Sequence, residues 1–433
     1  MTTELRRDIR KWDLVALVLN IVIGAGIFGL PARAFALAGV YSLAAYVVCA
    51  VPIFLIVLCF AEVGSRFKET GGLYLYALAA FGPLVGFEIG WLSWLTRITA
   101  FGGLCNLFVD YLAYFIPAVA SGVGRSIAII IVLSALAVVN VAGVRIASTV
   151  GNVFTVGKLL PLLALIVLGF FFIDPGNYAA GVVPTYSSFS LSVLLLVFAF
   201  TGFEVASIPA GESRDPRRHL PFALVAGTSI TVVLYVALQA ICIGTVPNLA
   251  TSQRPLADAG GYIMGSAGAA FISFGALISI AGTMNAIMLT GPRLLFAMAE
   301  NGQLPRIASA THARFITPHV AILFSAAMML LLTLSGTFIS LATISTVIRL
   351  TTYASTCAAV QVLRRRRGSE AGLFVMPFGQ VISTAALLLI VWLLSSSAWS
   401  EVIKTLLAAL AGLLLYAAYA ARQRQPRYEV VQN

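Results

Sequence analysis

The sequence predicts an all-α membrane protein whose chain crosses the bilayer about twelve times. Of its 433 residues, 60% are hydrophobic and only 10% are charged, whereas soluble domains carry roughly 25% charged residues. Apolar runs of about 20 residues, the length that spans the hydrocarbon core, recur from Trp12 to the end of the chain. They lack the alternation of polar and apolar residues that marks outer-membrane strands, so helices are favoured over a barrel.

The apolar runs follow one another with short connections. We predict spans at roughly 14–38, 41–62, 83–115, 126–144, 153–173, 189–210, 221–246, 262–298, 318–335, 338–361, 377–396 and 402–421. No long polar stretch or Pro-rich linker interrupts them, so residues 1–433 are predicted to form a single membrane domain.

The formal charge of +11 is explained by topology rather than by an anionic partner. With a cytoplasmic N-terminus, about 20 of the 27 Lys and Arg residues fall in cytoplasmic segments, as the positive-inside rule requires. They include Arg6, Arg7, Arg10, Lys11, Arg217, Arg218, Arg364 to Arg367 and Arg422, whereas Arg33, Arg125, Arg254 and Lys404 would face outside. The basic segments lack interleaved aromatic residues, so nucleic acid is not expected as a partner. We expect an inner or plasma membrane protein with both termini cytoplasmic.

Cysteine and histidine give no sign of a metal or a redox site. The five cysteines are scattered singly in apolar runs, without the paired spacing of a disulfide framework or a zinc site. His219, His312 and His319 all fall in predicted loops, so any proton relay within the membrane would use Lys, Asp or Glu. No cofactor or metal is predicted.

The first and sixth spans carry matching interruptions. Residues 24–32 (GAGIFGLPA) align without a gap on residues 202–210 (GFEVASIPA), and glycine, proline and alanine coincide at the ends. The two segments lie five spans apart, and an odd number of crossings reverses the chain direction, so a repeat that they mark has inverted topology. Paired Gly/Pro-interrupted helices in two halves are typical of transporters that bind substrate near the midplane. Coincidence is the alternative, because glycine and proline are common in membrane helices.

A broken helix offers unpaired backbone groups to a ligand. Gly24 and Gly26 would let the first span unwind, and the second half-helix would then present N–H donors and a positive dipole end to a carboxylate. The sixth span, broken near Gly202, would present carbonyls to an ammonium group. Together the two breaks predict a site for a zwitterion. The alternative is that these small residues only allow tight helix packing.

Several ionisable residues lie within predicted spans, where a charge is costly unless it is paired or wet. Glu204 beside the second break is either functional or an anchor for unwound backbone. Arg97 and Arg349 would pair with Glu88 or Glu204, or would bias the pocket toward anionic side chains; we favour structural pairing. Glu62 and Arg66, four residues apart at a helix end, look like a surface pair.

Four motifs, in this order within a twelve-span chain, are specific for one family. They are Gly24-Ala25-Gly26-Ile27-Phe28; Gly71-Gly72-Leu73-Tyr74; Gly202-Phe203-Glu204 with Ala210-Gly211-Glu212-Ser213-Arg214-Asp215-Pro216-Arg217-Arg218; and residues 292–305 (PRLLFAMAENGQLP). With them the chain resembles the amino acid-polyamine-organocation superfamily, close to its bacterial permeases and to the L-type amino acid transporters. The resemblance covers nearly the whole chain.

The resemblance implies a leucine-transporter-like fold of five plus five inverted helices, with repeats at roughly 12–175 and 187–363 and two extra helices at 377–421. It implies secondary active transport of amino acids by alternating access. The substrate carboxylate would meet the amides of Ala25 and Gly26, and the amino group the carbonyls of Val22, Phe198 and Thr201, beside Gly202. Phe198 also falls where the family often has an aromatic gate; ordinary core packing is the alternative.

Lys158 lies a few residues into an otherwise apolar span. Its flexible stem would allow it to snorkel to the interface. The resemblance implies another role, because sodium-independent members place a fifth-helix lysine where relatives of the same fold bind sodium. Its partners would be carbonyls of the first helix near Gly24 and the hydroxyl of Thr283. A lysine that released and regained its proton would couple transport to protons, and one that stayed charged would suit an exchanger.

Three other functions compete with amino acid transport. An intramembrane enzyme would need a serine-lysine pair built on Lys158, because no histidine is predicted within a span. A channel would need a polar or carbonyl-lined filter. A polyamine or organic cation transporter of the same fold is the closest alternative. A phosphate-binding glycine loop is absent from the sequence, so gradients or exchange rather than ATP would supply the energy. The sequence leaves the oligomeric state open.

Overall fold

The computed structural model describes residues 10–24, 26–67, 72–142, 158–179, 183–204, 216–366 and 374–420. Within these ranges the regular structure is helical and contains no strand. Six helical stretches of the described residues are long and apolar enough to cross a membrane, and five shorter helices are apolar too. The predicted class, an all-α polytopic membrane protein, is confirmed.

The helices follow the predicted spans with two differences: one short helix was not predicted, and the first predicted span consists of two helices. The first seven are α1 (Lys11–Val22), α2 (Gly26–Ala38), α3 (Ser42–Gly64), α4 (Gly72–Phe81), α5 (Pro83–Leu112), α6 (Gly122–Ala142) and α7 (Lys158–Phe172). The next seven are α8 (Tyr186–Phe200), α9 (Pro216–Thr245), α10 (Pro255–Glu300), α11 (His319–Ser335), α12 (Phe338–Arg365), α13 (Gly379–Ser395) and α14 (Trp399–Ala420).

The first predicted span is two helices rather than one. α1 ends at Val22 and α2 begins at Gly26, while Ala25 between them lies outside the described residues. The backbone N–H of Gly24 turns back to the carbonyl of Val22 at 2.7 Å, which closes the chain too tightly for an α-helix to continue. The interruption predicted from the glycines is therefore present.

Two helical features were not predicted. α4 is a separate helix, joined to α5 by Gly82 at a φ of +88°, a left-handed conformation that favours glycine. α10 is longer than the predicted span and is kinked at Gly265, where φ is +66°. Both connections rest on a single residue without a Cβ, which the hydropathy pattern does not reveal.

α5 forms the centre of the bundle and α14 lies at its edge. α5 packs against α4, α10, α11, α12 and α14, and most of its side chains are buried. α14 instead exposes a row of leucines, including Leu406, Leu407 and Leu414. Such a face on a long apolar helix suits lipid acyl chains, which supply the apolar surroundings that water does not.

Glu62 at the end of α3 is not the surface residue that its spacing to Arg66 suggests. Its side chain is fully buried and binds Arg66 at 3.2 Å and Arg364 of α12 through two bonds of 2.6 and 2.7 Å. The N–H of Met376 donates to the same carboxylate at 3.1 Å. This Glu62 cluster ties α3 and α12 to the segment before α13, and the expectation of a simple surface pair was wrong.

Candidate functional site

A cavity of about 390 Å³ lies between the two predicted breaks. Its lining comes from α1, α2, α4, α5, α7, α8, α10 and α12, and it includes Val22, Gly24, Gly26, Phe198, Thr201, Gly202, Glu204, Lys158 and Thr283. The structure therefore brings together all of the predicted site residues that it describes. The volume lies in the range of small-molecule sites.

The C-terminal end of α1 presents carbonyl oxygens that its own helix cannot satisfy. The Asn20 carbonyl accepts the ammonium of Lys158, and the Val22 carbonyl accepts the hydroxyl of Tyr235 at 2.9 Å. Ile21 also lines the cavity, and its carbonyl lies beside Gly202. This end of α1 carries the negative pole of the helix dipole.

The N-terminal end of α2 presents the opposite charge. Its first residues are Gly26, Ile27 and Phe28, whose N–H groups precede the first intrahelical bonds. Gly26 does not have a positive φ; instead, a Cβ added there would lie 2.7 Å from the Cα of Ala199 in α8. The glycine is therefore required by close packing of two helices rather than by a left-handed conformation.

The second break follows α8, which ends at Phe200. Gly202 has a φ of +112°, and a Cβ there would lie 2.9 Å from the side chain of Ile21. The hydroxyl of Thr201 donates to the Phe198 carbonyl at 2.8 Å. Positive φ and close contact with α1 coincide at Gly202, so this position requires glycine on two grounds.

Glu204 stabilises the second break. Its carboxylate accepts the N–H of Gly202 at 2.9 Å, an Nη1 bond from Arg349 at 2.9 Å and the hydroxyl of Tyr353 at 2.6 Å. Both Arg349 and Tyr353 come from α12 and are buried. The pairing of Arg349 with Glu204 was one of the two pairings considered from the sequence. It joins unwound backbone to a packed helix.

Lys158 begins α7, and its side chain is buried rather than extended toward an interface. Its ammonium donates to the carbonyl of Asn20, four residues before Gly24. Thr283 of α10 borders Gly24, with its hydroxyl 3.3 Å from a Cβ added there, and donates to the Ser279 carbonyl at 3.0 Å. The Thr283 hydroxyl therefore lies beside the first break, and the Lys158 ammonium contacts α1 one turn before it.

Arg97 of α5 differs from Arg349. It lines the cavity, and its side chain donates from Nη1 to the carbonyl of Ser93 in its own helix at 2.9 Å. Neither Glu88 nor Glu204 lies within ion-pair distance of it among the described residues. The structural pairing expected for Arg97 is absent there, because Glu204 is taken by Arg349 and Glu88 lies against Gly412 of α14.

Phe198 lines the cavity. Its ring contacts the ring of Phe338 edge to face, with centroids 6.1 Å apart, and Phe338 fills the space beside Gly29. On α1 the lining runs back from the break through Asn20 to Leu17, and on α4 it includes Leu73. The cavity therefore reaches from the aromatic ring of Phe198 to the second half of α1 and to α4.

Tyr235 was missed from the sequence. It lies on α9, is fully buried, and its hydroxyl contacts the carbonyls of Val22 at 2.9 Å and Ala199 at 3.1 Å. It thus bridges the last turn of α1 and the last turn of α8. A single tyrosine in an apolar span gave no signal, since a hydroxyl in a membrane helix needs a partner whose position only the fold reveals.

Comparisons with known proteins agree with this geometry. Residues 9–421 match the family described as amino acid permease. The chain is 30% identical to the serine/threonine exchanger SteT of Bacillus subtilis (strain 168), over 97% of this chain and 98% of that protein. It is 26% identical to the branched-chain amino acid permease BcaP of the same organism, over 97% and 94%. The b(0,+)-type amino acid transporter 1 of Mus musculus is 26% identical, over 96% and 88%.

Proposed function

This chain belongs to the amino acid permease family, and from that premise we propose that it is a secondary transporter that carries free amino acids across the membrane by alternating access. Its relatives are transporters rather than enzymes. The repeats at roughly 12–175 and 187–363 form its two inverted halves, and the extra helices flank them. The substrate binds at the two helix breaks.

The observation that carries this proposal is the opposition of two helix ends in one cavity. The positive end of α2 at Gly26 suits the carboxylate of an amino acid, and the end of α1, with the carbonyl of Ile21, suits its ammonium group. The amide of Ala25 is the second carboxylate donor expected from the family. These groups are common to all amino acids, so the main-chain site sets the class of substrate and the rest of the cavity sets the side chain.

The shape of the cavity supports alternating access. From the first break it runs back along α1 to Leu17 and reaches Leu73 of α4, and Phe198 in its lining contacts the ring of Phe338. With the termini in the cytoplasm, as the placement of basic residues predicts, this is an inward-facing arrangement. Separation of the two rings and closure of α1 against α5 and α10 would reverse it. Phe198 then acts as the gate.

Sodium independence is the finer part of the proposal. The Lys158 ammonium donates to a carbonyl at the end of α1, where it can replace a metal cation that neutralises the negative helix end. The coupling is then to protons or to a counter-transported amino acid. In the part of the chain that the structure describes, three of the four ionisable side chains that line the cavity are cations, which argues against polyamines and organic cations as substrates.

The main-chain site is tested by blocking the substrate carboxylate. Purified protein in proteoliposomes is screened for counterflow with each of the twenty L-amino acids, and the best substrate is then compared with its own amide as a competitor. Loss of a charge-assisted contact to backbone N–H groups weakens binding by about tenfold or more. Equal affinity for acid and amide would contradict the proposal and favour an amine substrate.

The cation site is tested by ion replacement. Uptake of the same substrate is measured with sodium replaced by potassium or choline, in wild type, in Lys158→Ala and in Lys404→Ala. Lys404 is an exposed lysine of α14 and serves as the matched control. We expect the wild type and the control to take up substrate equally well with and without sodium. We expect Lys158→Ala to lose sodium-free uptake. Wild-type uptake that collapses without sodium would refute sodium independence.

A further inference from the structure

The charges that line the cavity do not balance. Among the described residues that line it, Arg97, Lys158 and Arg349 contribute three positive charges, and Glu204 contributes one negative charge. A zwitterionic substrate adds no net charge, so its binding would leave this positive excess unchanged. Cavities lined by one sign of charge concentrate ligands of the opposite sign.

Two of the three cations are engaged by the protein itself. Arg349 forms its ion pair with Glu204 at 2.9 Å, and Lys158 donates to the Asn20 carbonyl at the end of α1. Both contacts also hold a helix break in place. The excess charge that is free to meet a substrate is therefore that of Arg97.

Arg97 uses little of its hydrogen-bonding capacity. A guanidinium has five N–H donors in a planar fork, and here one nitrogen donates to the Ser93 carbonyl four residues earlier. The side chain remains partly exposed on the cavity. Its stem lies along Gly291 of α10, where a Cβ would be 3.6 Å from its Cδ, so the neighbouring helix leaves it room. No carboxylate of the described residues forms an ion pair with it.

Closure of the cavity would make it costly for the Arg97 guanidinium to lack an ion-pair partner. While the cavity is open, water can solvate the guanidinium, but a charge inside a membrane protein must be paired once water leaves. A neutral substrate side chain supplies no counter-charge. A carboxylate supplies two oxygens in the geometry that a guanidinium fork binds best.

We infer that Arg97 selects amino acids with an anionic side chain, so that this transporter prefers dicarboxylic amino acids to neutral ones. The inference rests on the proposed function, because it assigns the side-chain part of a site whose main-chain part lies at the two breaks. Arg97 is the residue that determines the specificity of this site for the substrate side chain. None of the main-chain contacts depends on it.

The test compares acids with their isosteric amides. Binding of L-glutamate, L-aspartate, L-glutamine and L-asparagine to the purified wild-type protein is measured by titration calorimetry, and uptake of labelled L-glutamate by proteoliposomes. We expect the better acid to bind at least about tenfold more tightly than its amide, the effect of one charge-assisted pair. Arg97→Gln should remove this preference while leaving amide binding within about twofold, because the amide makes no ion pair to lose.

The matched control is Arg293→Gln. Arg293 of α10 donates to the Leu289 carbonyl four residues earlier, as Arg97 does to Ser93, but it does not line the cavity. Its replacement should leave the ratio of acid to amide affinity unchanged. Arg97→Lys should keep the preference for acids at a reduced ratio, because an ammonium keeps the charge and loses the fork.

The outcomes separate this inference from the proposed function. Wild-type protein that binds neutral amino acids as tightly as L-glutamate and L-aspartate overturns the role of Arg97 and leaves amino acid transport standing. Equal loss of acid and amide binding in Arg97→Gln also overturns it, since that pattern indicates a structural role. Protein that binds none of the twenty L-amino acids overturns the proposed function itself.

Discussion

Glu62 and Glu204 are two buried carboxylates that bind arginines of the same helix. Arg364 and Arg349 of α12 hold them, at points that lie about 22 Å apart along a helix that rises 1.5 Å per residue. Glu62 meets two arginines and the N–H of Met376, and none of these groups lines the cavity. Glu204 meets one arginine and the glycine of a helix break, at the cavity wall.

The difference shows which ion pair can rearrange. Among the described residues, the partners of Glu62 lie at the end of the bundle where α3 meets α12, and the carboxylate between them is fully buried. Glu204 and Arg349 both border a cavity that water can enter, beside backbone that is already unwound. We therefore interpret the Glu62 cluster as a fixed tie and the pair of Glu204 with Arg349 as a part that moves in the transport cycle.

The largest expected effect is the loss of stability on replacing Glu62. Glu62→Gln removes the charge of the buried carboxylate that binds Arg66 and Arg364, and removal of one partner of a buried ion pair typically costs about 3 to 5 kcal/mol. Thermal unfolding of the purified protein should fall well below wild type, while the uptake of the folded fraction persists. Glu300→Gln, at an exposed position, is the control for loss of a carboxylate.

Glu204→Gln should show the reverse pattern. Arg349 keeps contact with the cavity and so retains access to water, and the unfolding temperature should fall less than in Glu62→Gln. Uptake per folded molecule should fall about tenfold or more, because a charge-assisted contact at the break is lost. If Glu204→Gln transported normally, or Glu62→Gln unfolded like wild type, the division between a fixed tie and a moving part would be wrong.

A smaller effect is expected at Tyr353. Tyr353→Phe removes the 2.6 Å bond to Glu204, and the lost bond to a charged group is worth about 1.5 to 3 kcal/mol. Uptake should decrease, and the unfolding temperature should fall less than in Glu62→Gln, since the other partners of Glu204 remain. Tyr46 is a matched control, because its buried hydroxyl has no hydrogen-bond partner among the described residues, and Tyr46→Phe should alter neither measurement.

The smallest effect is expected at Ser65, beside the Glu62 cluster. Its hydroxyl donates to the main-chain carbonyl of Glu62 at 2.8 Å and accepts the N–H of Phe374 at 3.3 Å. Ser65→Ala should lower stability by about 0.5 to 1.5 kcal/mol for each of these neutral hydrogen bonds and leave uptake unchanged. A transport defect in this variant, at wild-type stability, would show that the region of Glu62 takes part in the cycle.

The sequence predicted those parts of the molecule that local pattern determines. Apolar runs predicted the helices, and the glycines at 24 and 202 predicted where α1 and α8 end, because hydropathy and backbone freedom are properties of neighbouring residues. Lys158 stood out because a charge in an apolar span requires an explanation. Its contact with the last turn of α1 agrees with the partner expected from the family, while its role in place of sodium stays a prediction.

The remaining features depend on distant parts of the chain. Arg349 and Glu204 are separated by 145 positions, and Arg364 and Glu62 by 302, so charge alone could not decide which arginine meets which acid. Arg97 and Arg349 looked equivalent, and only the packing of α12 on α8 separates them. Gly26 was predicted for its backbone freedom, yet its close approach to Ala199 is what excludes a side chain.

The ammonium group held by Asn20 has an electrical consequence. A sodium ion that occupied this place would leave with the substrate and draw on the membrane potential, worth about 2.3 kcal/mol per charge for each 100 mV. The Lys158 ammonium is covalently part of α7, so it stays with the protein throughout every cycle. In the proposed sodium-independent cycle the only charge that Lys158 can transfer to the other compartment is its proton, so the current in each turnover would be that of the substrate together with any proton or exchanged solute.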